Sequence, residues 1–230
     1  MFLYILFIHT SLDSFMMFET IYDSCEFLII NKLKSCSYHN DEGVGLFEIV
    51  KEKYPTIISV HRLDKPTIGL CLFAKNEKAA KIFGNLFSEK LIQKIYLAIS
   101  DKKPIKKQGL ISGDMEKSRG GSFRLSKIKL NPAITQFFSK SLSPGKRLFI
   151  LKPQTGKTHQ LRVMMKSIGS PILGDVRYKG TAADDLHLQA HQLKFDYENV
   201  SYSFTLRSFM NIESELITEE YLNLIKWPDL

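Results

Sequence analysis

Pro66 and Gly69 break the chain just after a short β-branched run, and this fixes what the middle of the sequence can become. Ile57, Ile58, Ser59 and Val60 read as a strand, and neither a strand ladder nor a helix runs smoothly through Asp64-Lys65-Pro66-Thr67-Ile68-Gly69. The stretch from His61 to Leu70 is therefore a turn at the edge of a sheet, where chemistry is usually done. It carries Asp64 directly after the cationic, hydrogen-bonding pair His61-Arg62. Alone, an aspartate in this place reads either as an Asx-turn or cap residue or as a catalytic acid.

A second segment about ninety residues later supplies a cationic counterpart. Arg147 to Lys152 alternates toward a strand, and Pro153 and Gly156 then turn the chain. Beyond the turn, Leu161, Met164, Met165 and Ile168 recur with helical spacing and form one apolar stripe. His159, Arg162 and Lys166 fall on another face. The spacing predicts a helix whose first turn carries Thr158, His159 and Gln160 beside Lys157, suited to a phosphate or a carboxylate. The same pattern also reads as the solvated basic face of an ordinary helix.

Together the segments are recognisable. His61-Arg62-Leu63-Asp64, Gly69 to Lys75, Lys94-Ile95-Tyr96-Leu97-Ala98, Thr155 to Val163 and Gly169 to Tyr178 occur in this order. The chain resembles the RluA-type family of RNA pseudouridine synthases, whose motifs read HRLDxxTSGLLLFAK, KxYxA, TGRTHQIRVH and GxPIxGDxxYG. The resemblance extends from about residue 17 to 207, with Glu26 to Lys32 as an opening strand and Leu188 to Phe195 as a late one. Three positions depart from the pattern: Ile68 stands for a serine, Lys157 for an arginine and Met165 for a histidine. Lysine keeps the charge of arginine but loses its bidentate fork.

Net charge is +8, and its distribution is uneven. Residues 94 to 179 hold 19 Lys and Arg against 4 Asp and Glu, and the remainder holds 13 against 20. A basic block on an acidic remainder is the footprint of a polyanion partner. Cys25, Cys36 and Cys71 share no CxxC spacing and each reads as a small buried apolar residue of a reducing cytosol, which gives a cytoplasmic expectation. No metal site is expected: His187 and His191 are four apart, but their segment reads as a strand.

Met1 to Met16 is too short an apolar run for a membrane span and lacks the basic start of a signal peptide. It reads as a non-homologous extension with the true start at Met16 or Met17; a genuine extra strand is the other reading. Residues 17–230 are expected to form a single catalytic domain, with no appended S4 domain expected. Expected elements are strands at Leu28 to Asn31, Ile57 to His61, Gly69 to Lys75 and Lys94 to Ser100, and helices at Gly45 to Lys53 and Lys78 to Lys90. Asp101 to Lys107 is expected as a loop and Ser112 to Gly121 as a mobile connector. Strands follow at Phe123 to Leu130, Ala133 to Leu142 and Arg147 to Lys152, with a last short helix near Glu219 to Lys226.

The resemblance implies an α+β fold with a mixed, mostly antiparallel central sheet, flanking helices and a catalytic cleft. It implies isomerisation of uridine to pseudouridine in ribosomal or transfer RNA, by a monomer and without a cofactor. Asp64 takes the family role of nucleophile or base at the glycosidic bond, Arg162 pairs with it, and Tyr96 lies against the flipped uracil. Arg62 fills the vacated stack or holds a phosphate. His61 is grouped with the RNA contacts, bracing the turn or touching the backbone. Lys157, Thr158, His159 and Gln160 are the expected phosphate and ribose contacts. The alternative is a non-catalytic RNA-binding or ribosome-assembly protein that kept the fold.

Overall fold

The computed structural model describes residues 17–33, 35–38, 44–210, 212 and 215–229, so the extension expected over residues 1–16 lies outside the described residues. Twelve strands and four α-helices follow one another along these residues. Strands β1 (Phe18–Asp23) and β2 (Phe27–Lys32) open the chain, followed by helix α1 (Leu46–Lys53) and strands β3 (Ile58–Ser59) and β4 (Ile68–Ala74). Helix α2 (Glu77–Ser88) leads to β5 (Gln93–Ser100), β6 (Gln108–Gly113), β7 (Met115–Lys117), β8 (Phe123–Leu125), β9 (Ala133–Ser143) and β10 (Lys146–Pro153). Helix α3 (Gln160–Ser167), β11 (Leu188–Tyr197), β12 (Val200–Thr205) and helix α4 (Glu219–Leu224) complete the order.

Most strands join one sheet in the order β1-β2-β4-β11-β5-β10-β9-β6, with β12 added to β11 and β3 to β4. Every pairing in it is antiparallel except β4 with β11, which run parallel. The α+β fold with a mixed, mostly antiparallel sheet is the one expected. β2 and β4 read as unbroken apolar runs because both their faces are covered. On one face Phe27, Ile29, Leu70 and Leu72 pack beneath Ala79 and Phe83 of α2. Asn76 starts that helix by accepting the Ala79 N–H at 2.8 Å, the N-cap bond that the first turn otherwise lacks.

The opposite face carries two clusters. One packs Leu28, Ile30, Cys71 and Phe73 against Leu46 and Val50 of α1, and the other packs Ala98, Phe149 and Leu151 against Leu161, Met164 and Met165 of α3. Tyr96 touches both clusters and so stands at the seam between them. The apolar stripe predicted for α3 is the face it buries, and Met165, one of the departures from the family pattern, is fully buried there.

Four expectations need correction. Cys25 is exposed, unlike the buried Cys36 and Cys71. The stretch 112–121 is not a loose connector: β7 and β8 pair as a two-stranded ribbon, and β6 precedes them at the edge of the sheet. The ribbon is tied down because Tyr178 accepts the Phe123 N–H at 3.1 Å and Arg177 donates to the Gly120 carbonyl at 3.1 Å. The strand expected to reach Leu130 stops at Leu125. Finally, α3 starts at Gln160, so Thr155 to His159 form an approach loop rather than a helical turn; His159 adopts a left-handed φ of 57°, which no helix continues through. Among the described residues no helix is long and apolar enough to cross a membrane.

Candidate active site

Asp64 lies in the tight turn between β3 and β4, closed by the Thr67 N–H donating to the Asp64 carbonyl at 3.0 Å. Lys32, the last residue of β2, lies under this turn with 1% of its surface exposed. Its ammonium donates to the carbonyls of Lys65 at 2.6 Å, Cys36 at 2.9 Å and Asp64 at 3.2 Å. Burial lowers the Lys32 pKa, opposed by the nearby thiols and Asp64. A buried lysine that satisfies three backbone carbonyls works as a cross-brace for the loop that presents Asp64. Nothing in the sequence marked it, since Lys32 merely ends an apolar run.

The parallel pairing beside this turn sets the register of the site. Ala190 of β11 lies opposite Gly69 of β4 on one side and Tyr96 of β5 on the other, so a single row across the sheet carries Tyr96 toward the Asp64 turn. Only glycine fits at 69: its φ is +106° and an added Cβ would meet the Ala190 carbonyl oxygen at 2.2 Å. Asp64 and Tyr96 line one small pocket with Arg62, Lys94, Lys157 and Leu188. Burial, and then the Asp64 charge, push the Tyr96 phenol above the usual tyrosine range. Lys94 stands on the same side of β5 as Tyr96, and burial lowers its pKa. A larger cavity, of about 600 Å³, opens on the other face: Gln189 lines it while its neighbour Leu188 lines the Asp64 pocket. Its size does not make it the site, because it holds neither Asp64 nor Tyr96.

The expected partnership of Arg162 and Asp64 is present but is not the main one. Arg162 donates from Nε to Asp175 Oδ2 at 2.8 Å and from Nη2 to Asp175 Oδ1 at 2.7 Å, a bidentate fork, whereas Nη1 stands 3.9 Å from Asp64 Oδ2. The Arg162 guanidinium carbon lies 5.0 Å from the centre of the Tyr178 ring. Burial disfavours the charge on Arg162, but the bonds and the charge of Asp175 outweigh it and raise the pKa. Asp175 is held in place by the turn before it: Gly174 has φ +84°, and a Cβ there would lie 1.9 Å from the Asp185 carbonyl oxygen. The sequence did contain a clue, since Gly174-Asp175 is part of the last motif, but no spacing says which arginine the acid meets.

The expected RNA contacts divide. Arg62 and Thr158 are exposed, and Arg62 forms the rim of the pocket. His61 points elsewhere: its Nε2 accepts the Leu72 N–H at 2.8 Å and its ring packs 4.8 Å from that of Phe87. Burial and Lys94 take the His61 pKa down to about 3, so it is a neutral brace between β4 and α2 rather than a phosphate contact. Gln160 is likewise internal. Its amide donates to the Ile134 carbonyl and Thr135 hydroxyl, and its oxygen accepts from Thr155 Oγ1 and the Lys157 N–H, which leaves nothing for RNA. Lys157 donates to the Asn131 carbonyl. His159 Nδ1 is 2.8 Å from the Tyr178 hydroxyl, and burial lowers its pKa although Asp64 works against this.

Asp64 thus stands 3.9 Å from a bidentately held arginine and shares one pocket with the half-buried Tyr96. The family model described as RNA pseudouridylate synthase matches residues 26–167. The chain belongs to that family. A Haemophilus influenzae protein described as an uncharacterized RNA pseudouridine synthase is 55% identical over 192 residues, covering 81% of this chain and 86% of that one. A ribosomal large subunit pseudouridine synthase C of Rickettsia bellii is 44% identical over 123 residues, covering 52% of this chain but only 41% of its own. Human RNA pseudouridylate synthase domain containing 1 superposes with a TM-score of 0.73 at 22% identity, covering 92% of this chain and 97% of that one, which establishes the shared fold. As a synthase of the RluA type, the protein is an isomerase whose substrate is RNA. β11 and Asp175 both lie outside the matched segment.

Proposed function

We propose that this synthase converts a uridine of structured RNA to pseudouridine through Asp64, with large-subunit ribosomal RNA the first substrate to test and transfer RNA the second. The observation that carries the reading is the shared pocket of Asp64 and Tyr96, with Arg162 Nη1 3.9 Å from the Asp64 carboxylate. The bond from ribose C1′ to uracil N1 breaks, C1′ bonds to C5, the C5 proton leaves and N1 gains one, so the product is an isomer and no cofactor is consumed. Asp64 and Tyr96 line a pocket in the protein, and side chains there cannot reach a glycosidic bond inside a stacked helix, so the target nucleotide must leave the helix first. Asp64 acts at the sugar, as nucleophile or as base; carboxylates serve both ends in glycosyl chemistry. Arg162, locked by Asp175, orients the carboxylate without neutralising it in a tight pair.

Tyr96 enters as a neutral phenol, because burial and Asp64 both oppose its ionisation. It packs the base, and it can take the C5 proton only by passing on its own in the same step. Arg62 at the rim holds the flipped nucleotide's phosphate or fills its gap. The test is complementation of a deletion strain with the natural sequence or Asp64→Ala, followed by pseudouridine mapping over ribosomal and transfer RNA. A site restored only by the natural sequence supports the reading. Pseudouridine made by purified Asp64→Ala overturns the role of the acid.

A further inference from the structure

We infer a second RNA contact, remote from the Asp64 pocket: a basic ridge that grips the phosphate backbone flanking the target uridine. It deepens the synthase reading and rests on it. The loop 101–107 after β5 carries Lys102, Lys103, Lys106 and Lys107, all exposed, and a single acid. That acid, Asp101, is occupied by the Thr181 hydroxyl at 2.6 Å. Arg147, opposite the end of β5 in the sheet, adds a fifth cation. Lys102, Lys103 and Arg147 share one groove, and Lys107 and Arg147 share the adjoining one. Among the described residues none of the five pairs with a carboxylate within 4.0 Å.

The backbone beneath these charges is nevertheless pinned at three points. The Ser170 hydroxyl donates to the Lys102 carbonyl at 2.8 Å, the Ile105 N–H donates to the Ile168 carbonyl at 3.1 Å, and Ser139 donates twice to the Lys107 carbonyl, at 2.7 and 2.8 Å. Arg147 is held by its own bonds to Ser139, at 3.2 and 3.3 Å. An ordered scaffold under unpaired like charges repels itself until a polyanion arrives, and it costs little to order when one does. Lysines on flexible stems act as point charges, suited to phosphates and indifferent to base identity.

Position selects the occupant. Ser100 lies four residues along β5 from Tyr96, about 13 Å at strand rise, and the loop is tied to the residues that follow α3, itself about 12 Å long. RNA carries one phosphate per nucleotide, so the ridge meets the strand a few nucleotides from the flipped base. Lys166, exposed near the end of α3, lies on the path between.

The test is the quadruple variant Lys102→Gln/Lys103→Gln/Lys106→Gln/Lys107→Gln beside the matching four-fold Lys→Arg variant. Binding is measured against an unmodified large-subunit ribosomal RNA transcript and an unmodified transfer RNA transcript over a salt series, with turnover on whichever is modified. The Gln variant is expected to flatten the slope of log affinity against log salt by about 3, from 0.7 to 0.9 per lost phosphate contact. It should raise KM about ten-fold or more and leave kcat unchanged, while the Arg variant behaves as the natural protein. An unchanged slope and KM in the Gln variant overturns the ridge, as does equal weakening in the Arg variant. If the natural protein modifies neither transcript, the substrate reading fails separately, and the salt slope still decides the ridge.

Discussion

Replacing Asp175 by Asn tests the clamp on Arg162. Arg162 is 6% exposed and Asp175 1%, so each charge is compensated almost entirely by the other. Asp175→Asn puts an amide NH2 against a guanidinium that only donates, leaving a buried cation whose remaining carboxylate is Asp64 at 3.9 Å. Breaking a buried pair from one side costs about 3–5 kcal/mol, most of it the stranded charge. Arg162→Met strands Asp175 instead and should cost the same order. The double variant strands neither, so its cost should fall short of the two singles summed by at least ~2 kcal/mol. Urea unfolding followed by emission of Trp227, the one tryptophan, gives all three values. In Asp175→Asn the guanidinium is expected to turn onto Asp64, and pseudouridine formation should fall about 100-fold, the scale of a 1 Å misplacement of a reacting group. Additive costs, or an Asp175→Asn cost below ~1 kcal/mol, would refute the clamp.

Lys32→Met removes the donor to three carbonyls under the Asp64 turn and should destabilise by ~2–4 kcal/mol, with activity falling further than RNA affinity; equal losses of both would point to general unfolding instead. Gly69→Ala meets a backbone oxygen at 2.2 Å with φ at +106°, so the variant is expected to lose more than ~3 kcal/mol or fail to accumulate, and a normal melting temperature would contradict the register described. His191 is fully buried, its Nε2 3.0 Å from the Ile217 carbonyl, and burial lowers its pKa to about 4; His61 is lowered to about 3. Both are neutral in the fold, while the unfolded chain takes up their protons near the ordinary value of 6.5, so stability falls as pH drops below that value. Between pH 7.5 and 5 each should cost ~2 kcal/mol, and His191→Gln should remove about half of the combined loss in denaturation curves. An undiminished pH slope in that variant would show that His191 is not a source.

Local pattern located most of the frame. The strands and helices around Asp64 and Tyr96 fall within a residue or two of where apolar spacing and the Pro and Gly breaks put them, because those signals are written in adjacent residues. The misreadings share a cause of another kind. Gln160 looked like a phosphate contact, yet its acceptors at Ile134 and Thr135 are some 25 residues away in sequence. His61, for which bracing is one of two readings, does brace, but through Leu72 and Phe87 of other elements rather than within its own turn. The β7–β8 ribbon looked mobile because its anchors, Tyr178 and Arg177, arrive more than fifty residues later. In each case the partner lies farther along the chain than any local pattern reaches.

The parallel seam between β4 and β11 has a consequence for synthesis. Gly69 and Ala190 are about 120 residues apart, so the row that aligns Tyr96 with the Asp64 turn closes only after β11 has left the ribosome. Contacts of such span form late and slowly, because the loop entropy is lost before the pairing rewards it. A nascent chain that already carries both motifs therefore holds Tyr96 and the Asp64 turn on unjoined strands until β11 arrives.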